Sequence, residues 1–205
     1  IRFDDANTCV RTVISKLQVP ISTDIVALGS VDEGDWVDVY QSEPCLPLKT
    51  TRNAIEGHMG GGRMTLAPDG RSVLLAVGDY HWDGTIAPRT LPDAKDSSDA
   101  TSVAQDPNGH YGKIMRIDYT TGEASVFSKG HRNPQGLSFD DKGRLWAVEH
   151  GPFGGDELNL VRQDGNYGWP EVTLGDATYT GTYAVDPEPG SSRYGAHEGF
   201  DKPVL

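Results

Sequence analysis

"LAPDGRSVLLAVGD" (66–79) and "LSFDDKGRLWAVEHG" (137–151) are two versions of one plan. Each reads Leu, two residues, an acidic-Gly-Arg turn, then an apolar run that ends in Ala-Val and an acidic residue. An acidic residue and a glycine between two β-like runs mark a hairpin, because glycine takes the positive φ that tight turns require. "YGKIMRIDYTTGEASVF" (111–127) repeats the plan with "TTGE" at its turn. Gly70 and Gly143, the turn glycines of the first pair, lie 73 positions apart. That distance is close to two units of a propeller repeat of roughly 40 residues, with the "TTGE" hairpin as an intervening outer hairpin.

The rest of the chain agrees with an all-β reading. "DIVALGS" (24–30) and "DWVDVYQ" (35–41) are further short β-like runs, and no helical period of 3.6 stands out. The expected architecture is a β-propeller of four-stranded antiparallel blades, in a single domain over residues 1–205. At about 40 residues per blade the chain supplies four to five blades at most, so the expectation is part of a propeller. Residues 81–110 and 175–199 form two long polar segments. Such loops are often functional, and as often plain surface excursions.

A net charge of −12 argues against nucleic acid and anionic membranes as partners. No apolar run approaches 18 residues, so no membrane span is expected. The chain opens "IRFDDA", with neither a signal peptide nor Met, and a processed or truncated start is expected. Cys9 and Cys45 can form one disulfide, as in an exported protein, or stay reduced.

Four stretches carry chemistry. In "GHMGGGRM" (57–64), one histidine sits among glycines that admit a flat ligand or another backbone; the alternative is an exposed turn. "AVGD" ends in Asp79, which can orient an imidazole or cap a turn. In "GHRNPQGL" (130–137), a proline turn follows His131, Arg132 and Asn133. These three side chains either face water or aim together at something, and an arginine fixed there suits a developing anion. In "EHGPFGGDELNL" (149–160), turned-out carbonyls are followed by Asp156 and Glu157, hard oxygen ligands of the kind Ca²⁺ takes, or a solvated acidic pair.

Taken in order, "GHMGGGRMTLAPDG…AVGD", "GKIMRID…TGE", "GHRNPQGL", "LWAVEHGPFGGDELNLV" and "GNYGWP" resemble the soluble PQQ-dependent glucose and aldose sugar dehydrogenases, from about residue 46 to the C-terminus. The resemblance implies a six-bladed propeller, periplasmic or secreted, that oxidises an aldose to its lactone with PQQ and Ca²⁺ and passes electrons to an external acceptor. It leaves a homodimer open. It implies His58 as general base, Asp79 as the acid bonded to it, and Arg132 and Asn133 near the quinone oxygens. His150 and Gly151 fall at the cofactor. The carbonyls of Gly151 and Pro152 match ligands of a calcium ion, and Asp156, Glu157 and the backbone of Tyr167 match a second, more structural calcium site. Gly57 stands where the glucose-specific branch has an acidic residue, which favours the broader aldose branch, and the extra "GGG" run points to a different loop geometry. The basic residues that hold the PQQ carboxylates in the family come from later blades, so the 205 residues alone are expected to bind PQQ weakly. Two other readings are a cofactor-free propeller that binds carbohydrate or protein, and a calcium-dependent propeller lactonase.

Overall fold

The protein was analysed as a computed structural model, which describes residues 1–4, 9–17, 33–47, 59–80, 102–152, 154–175, 197 and 199–205. The strands are β1 (Arg2–Asp4), β2 (Cys9–Arg11), β3 (Val13–Leu17), β4 (Trp36–Gln41), β5 (Leu46–Pro47), β6 (Gly61–Leu66), β7 (Ser72–Val77), β8 (Lys113–Asp118), β9 (Ala124–Lys129), β10 (Pro134–Phe139), β11 (Leu145–Glu149), β12 (Glu157–Val161) and β13 (Gly165–Asn166). One 3₁₀ turn (Glu33–Asp35) leads into β4. The run 24–30 lies outside the described residues; β4 pairs instead with β3, antiparallel.

Strands β6 to β9 form an antiparallel meander, to which β13 adds a parallel edge beside β9. Strands β10 to β12 form the next antiparallel sheet. The hairpin at "TTGE" therefore completes the sheet that the first hairpin begins. The two look-alike hairpins, β6–β7 and β10–β11, open successive sheets, one repeat apart rather than two. Without the 81–110 segment between β7 and β8, their spacing falls to about 40 residues, a single repeat.

The turns explain the resemblance. Asp69 Oδ1 accepts hydrogen bonds from the backbone N–H groups of Arg71 (2.9 Å) and Ser72 (2.8 Å). Asp140 Oδ1 does the same for Lys142 (2.9 Å) and Arg144 (2.8 Å). Gly70 and Gly143 sit at φ 62° and 73°, which a side chain resists. Asp118 serves the third turn through Thr120 (2.8 Å) and Thr121 (3.0 Å). These bonds, and for Asp140 first of all the one donated by Trp146 Nε1 (3.0 Å), favour the charged form and hold all three carboxyls below the usual aspartate range. A lowered pKa contributes stability above the unfolded value of about 4, and that contribution is lost as pH falls. The melting temperature will therefore drop on acidification from pH 5 to pH 2, and the triple variant D69N/D118N/D140N will flatten that drop. An unaltered slope in calorimetric scans of the triple variant would count against this origin of acid sensitivity.

The apolar run of β7 is buried on both faces. Leu74 and Ala76, with Ile114 of β8, pack against Leu137, Leu145, Ala147 and Val161 of the next sheet. Leu75 and Val77, with Met115 and Ile117, pack on the other side against Val10, Tyr40, Leu46 and Tyr111. A strand covered on both faces reads as a continuous apolar stretch, as "VLLAV" does. Cys9 and Cys45 are joined as a disulfide that ties β2 to the start of β5. Among the described residues no helix is long and apolar enough to cross a membrane.

Candidate active site

Because neighbouring strands run in opposite directions, the start of β6, the end of β7, the start of β10 and the end of β11 meet at one end of the two sheets. A cavity of about 710 Å³ opens there, with Val13 to Ser15 of β3 also among its lining. Arg132, Asn133, His150, Gly151 and Pro152 line it, together with Met59 to Gly62. Three of the four motif stretches thus contribute directly to one hollow. His58 lies outside the described residues; its neighbours Met59 and Gly60 are on the cavity wall.

Backbone hydrogen bonds lock these loops together. Gly78 N–H donates to Gly60 O (3.1 Å), Tyr80 N–H to Met59 O (3.1 Å) and Asp79 N–H to Arg132 O (2.9 Å). Asn133 Oδ1 accepts from Gly61 N–H (3.1 Å). Gly78 has no room for a side chain, since a Cβ there would lie 1.8 Å from Met59 O.

Arg132 is the main charge in the wall. It is 7% exposed, and its guanidinium stands over the Trp169 ring, 5.4 Å from the centroid. Its Nη1 donates to the carbonyls of His150 (3.1 Å) and Gly151 (2.8 Å). Burial lowers its pKa, while Asp79, Glu149 and Asp156 favour the cation. Asp79 is fully buried, and its Oδ2 accepts from Trp169 Nε1 (2.8 Å). That indole therefore touches the acid with its N–H and the cation with its face.

His131 does neither of the things expected of it: it faces neither water nor the cavity. Its ring is buried, stacked on Tyr167 at 4.7 Å, with Nε2 at Ser128 Oγ (2.8 Å) and Nδ1 at Glu149 Oε1 (2.9 Å). His150 is half-exposed at the rim, with Nε2 at Gln135 Oε1 (3.1 Å) and Nδ1 3.7 Å from Asp156 Oδ2.

Reading the motifs alone missed three contributors: Glu149, His131 in its inward role, and Trp169. Glu149 had a signal. In β11, Leu145, Ala147 and Glu149 share the buried face, and a carboxylate on such a face must have partners.

Of the oxygen donors implied for calcium, the Gly151 carbonyl accepts from the Arg132 guanidinium, as does the neighbouring His150 carbonyl. Asp156 Oδ1 accepts from Gly151 N–H (3.0 Å) and its side chain is largely exposed. Glu157 turns the other way into the interior, where Asn159 Nδ2 reaches it at 3.2 Å and His197 Nε2 lies 4.0 Å away. Burial, and then the nearby Glu149, push its carboxyl up to about 7. Tyr167 is held through its hydroxyl, which donates to Leu160 O (2.6 Å), and its N–H, which donates to Lys129 O (2.9 Å). Among the described residues no three His, Cys, Asp or Glu side chains gather as metal ligands. As placed, the Gly151 carbonyl already accepts from Arg132, and the Asp156 and Glu157 carboxylates turn to different sides, so those two do not share an ion.

A flat organic ligand fits better. Gly62 lines the cavity, and a Cβ there would meet nothing within 4 Å, so its missing side chain leaves open space. The same hollow is lined by a planar cation buttressed by an indole.

The family model for Glucose / Sorbosone dehydrogenase matches residues 46–205. The chain belongs to this family. Within it, the chain is similar to Quinoprotein glucose dehydrogenase B of Acinetobacter calcoaceticus, at 32% identity over 127 residues, covering 54% of this chain and 26% of that protein. It is also similar to Aldose sugar dehydrogenase YliI of Escherichia coli K12, at 38% identity over 87 residues, covering 36% and 24%. The matched stretch thus covers about a quarter of the length of each of these two relatives. Among solved structures, the apo-form of the soluble aldose sugar dehydrogenase from Escherichia coli aligns with a TM-score of 0.58 and 25% identity, over 98% of this chain and 54% of that one. All the motif residues fall inside the stretch that the family model matches.

Proposed function

We propose that this chain carries the substrate-oxidising face of a PQQ-dependent aldose dehydrogenase built on propeller blades, with sugar and quinone held in the 710 Å³ cavity. The observation that carries the reading is the meeting of Arg132, Asn133 and the Met59–Gly62 loop in that one hollow. The quinoprotein and aldose dehydrogenase names of the relatives support it. When bound, the quinone would supply the two-electron acceptor for a hydride leaving the anomeric carbon, which no side chain can offer.

The chain's own residues do the rest. His58 takes the proton of the anomeric hydroxyl as the carbonyl of the lactone forms. Asp79, held by Trp169, sits in the Gly78–Tyr80 turn that bonds Met59 and Gly60, the residues that follow His58 in sequence. Arg132 stabilises negative charge that grows at the cavity wall, and its desolvated setting makes that interaction stronger than it would be in water. The glycines leave room along the wall for a flat ligand. No step is assigned to calcium. The disulfide supports an oxidising compartment, periplasmic or secreted.

Dye reduction by the protein with excess PQQ and an aldose tests this reading. Wild type is expected to reduce the dye, and H58A to lose at least about 100-fold in kcat, the usual range for a general base, with its melting curve unchanged. Dye reduction that survives intact in H58A, or lactone hydrolysis without quinone and no dye reduction, would contradict it.

A further inference from the structure

Glu149 is buried at the end of β11 and does not line the cavity, yet its carboxylate grips the turn that does. Oε1 accepts from His131 Nδ1 (2.9 Å) and from Asn159 Nδ2 (2.8 Å), and Oε2 accepts from the backbone N–H of Arg132 (2.8 Å). We propose that Glu149 is the positioning residue of this site: its two oxygens clamp the His131–Arg132 turn and so aim the Arg132 guanidinium into the cavity. The inference rests on the proposed dehydrogenase reading for its catalytic consequence, but not for the clamp itself.

Three features of the surroundings suit a clamp. First, β11 is the middle strand of its sheet, paired on both sides, so the carboxylate has a rigid base. Second, the grip is double, once on a side chain and once on the backbone of the next residue. That fixes both the position and the direction of the turn. Third, the far side of the imidazole is also held: with Nδ1–H donated to Glu149, Nε2 accepts from Ser128 Oγ, and the ring lies against Tyr167. Every group that Glu149 touches is a donor, so an acid is the residue that satisfies all of them.

The amide isostere separates geometry from charge. In E149Q the amide oxygen can still accept from Arg132 N–H. The amide N–H can donate to His131 Nδ1 once the imidazole changes tautomer and gives its Nε2–H to Ser128 Oγ. Asn159 can meet the same amide by turning its Oδ1 inward; that atom has no partner among the described residues. The clamp therefore survives in E149Q and is lost in E149A.

Two measurements on these variants test the proposal. In the quinone-free protein, amide hydrogen exchange at Arg132 should quicken about tenfold or more in E149A, as expected when a buried donor loses its acceptor, and change little in E149Q. In the dye assay with excess PQQ, kcat should fall about 100-fold in E149A, as for a misaimed group. The aldose KM should stay within about twofold, and E149Q should keep kcat within about fivefold of wild type. Should E149A not fold, H131F removes one of the two grips while keeping the stack on Tyr167, and kcat should fall about tenfold. Slow exchange at Arg132 in E149A, equal losses in E149A and E149Q, a loss confined to KM, or full kcat in H131F would each overturn the proposal. If wild type itself oxidises no sugar, the dehydrogenase reading fails while the exchange measurement still decides the clamp.

Discussion

R132A is expected to lower kcat for aldose oxidation about 10²- to 10³-fold, the cost of removing one preorganised charge partner, while leaving KM for the sugar within about threefold. The reasoning follows from where the guanidinium sits. It is almost fully buried, fixed by two carbonyls and an indole face, and needs no reorganisation when charge develops beside it. An interaction made chiefly in the transition state appears in kcat and not in KM. R132K should recover little. An ammonium is a point charge without the planar guanidinium that lies over Trp169. Removing the cation also leaves Asp79 and Glu149 buried with less compensation, so a lower melting temperature is expected as well. Initial-rate measurements on protein verified as folded separate the two effects. A loss found wholly in KM would place Arg132 in sugar binding instead.

The second large effect belongs to a residue with no chemistry of its own. G78A should unfold at a temperature about 10 °C lower and lose at least about 100-fold in activity. The added Cβ would sit 1.8 Å from Met59 O, so the loop that follows His58 must move. That movement strains or breaks Gly78 N–H to Gly60 O and Tyr80 N–H to Met59 O. Overpacking of this kind costs about 1–3 kcal/mol and each lost hydrogen bond about 1 kcal/mol. At about 2–4 °C per kcal/mol for a chain of this size, the expected shift follows. A 1 Å misplacement of a catalytic loop accounts for the activity. G34A is the control: nothing lies within 4 Å of its added carbon, and its melting temperature should barely change. Calorimetry on the two variants, with a parallel dye assay, checks both halves, and a G78A protein with normal stability and rate would contradict the packing argument.

The hairpins were legible because their turns are local: Asp69, Asp118 and Asp140 each bond the backbone two to four residues on, and the adjoining glycines take positive φ. What the sequence hid is long-range. The 73-residue interval between Gly70 and Gly143 looks like two repeats until the pairing of β7 with β8 shows that 81–110 is an insertion within one sheet. The pairing of β3 with β4 depends on contacts that no local pattern announces. Likewise, the site motifs pointed to Arg132 and Asn133 because a proline turn beside polar residues is a display device. They could not show that His131, in the same turn, would point inward, since that depends on Ser128 of β9, Glu149 of β11 and Tyr167, just past β13. The carbonyl of Gly151 illustrates the same limit. Its motif suggests a metal, and only the fold shows that the Arg132 guanidinium already sits against it.

The most direct test of the central claim is a crystal structure of the protein grown with excess PQQ and an aldose. The account predicts the His58 imidazole and the Arg132 guanidinium opening onto the same cavity, with the quinone between the Met59–Gly62 loop and Arg132. An imidazole on the opposite side of the molecule from that guanidinium, or quinone bound anywhere else, would contradict it.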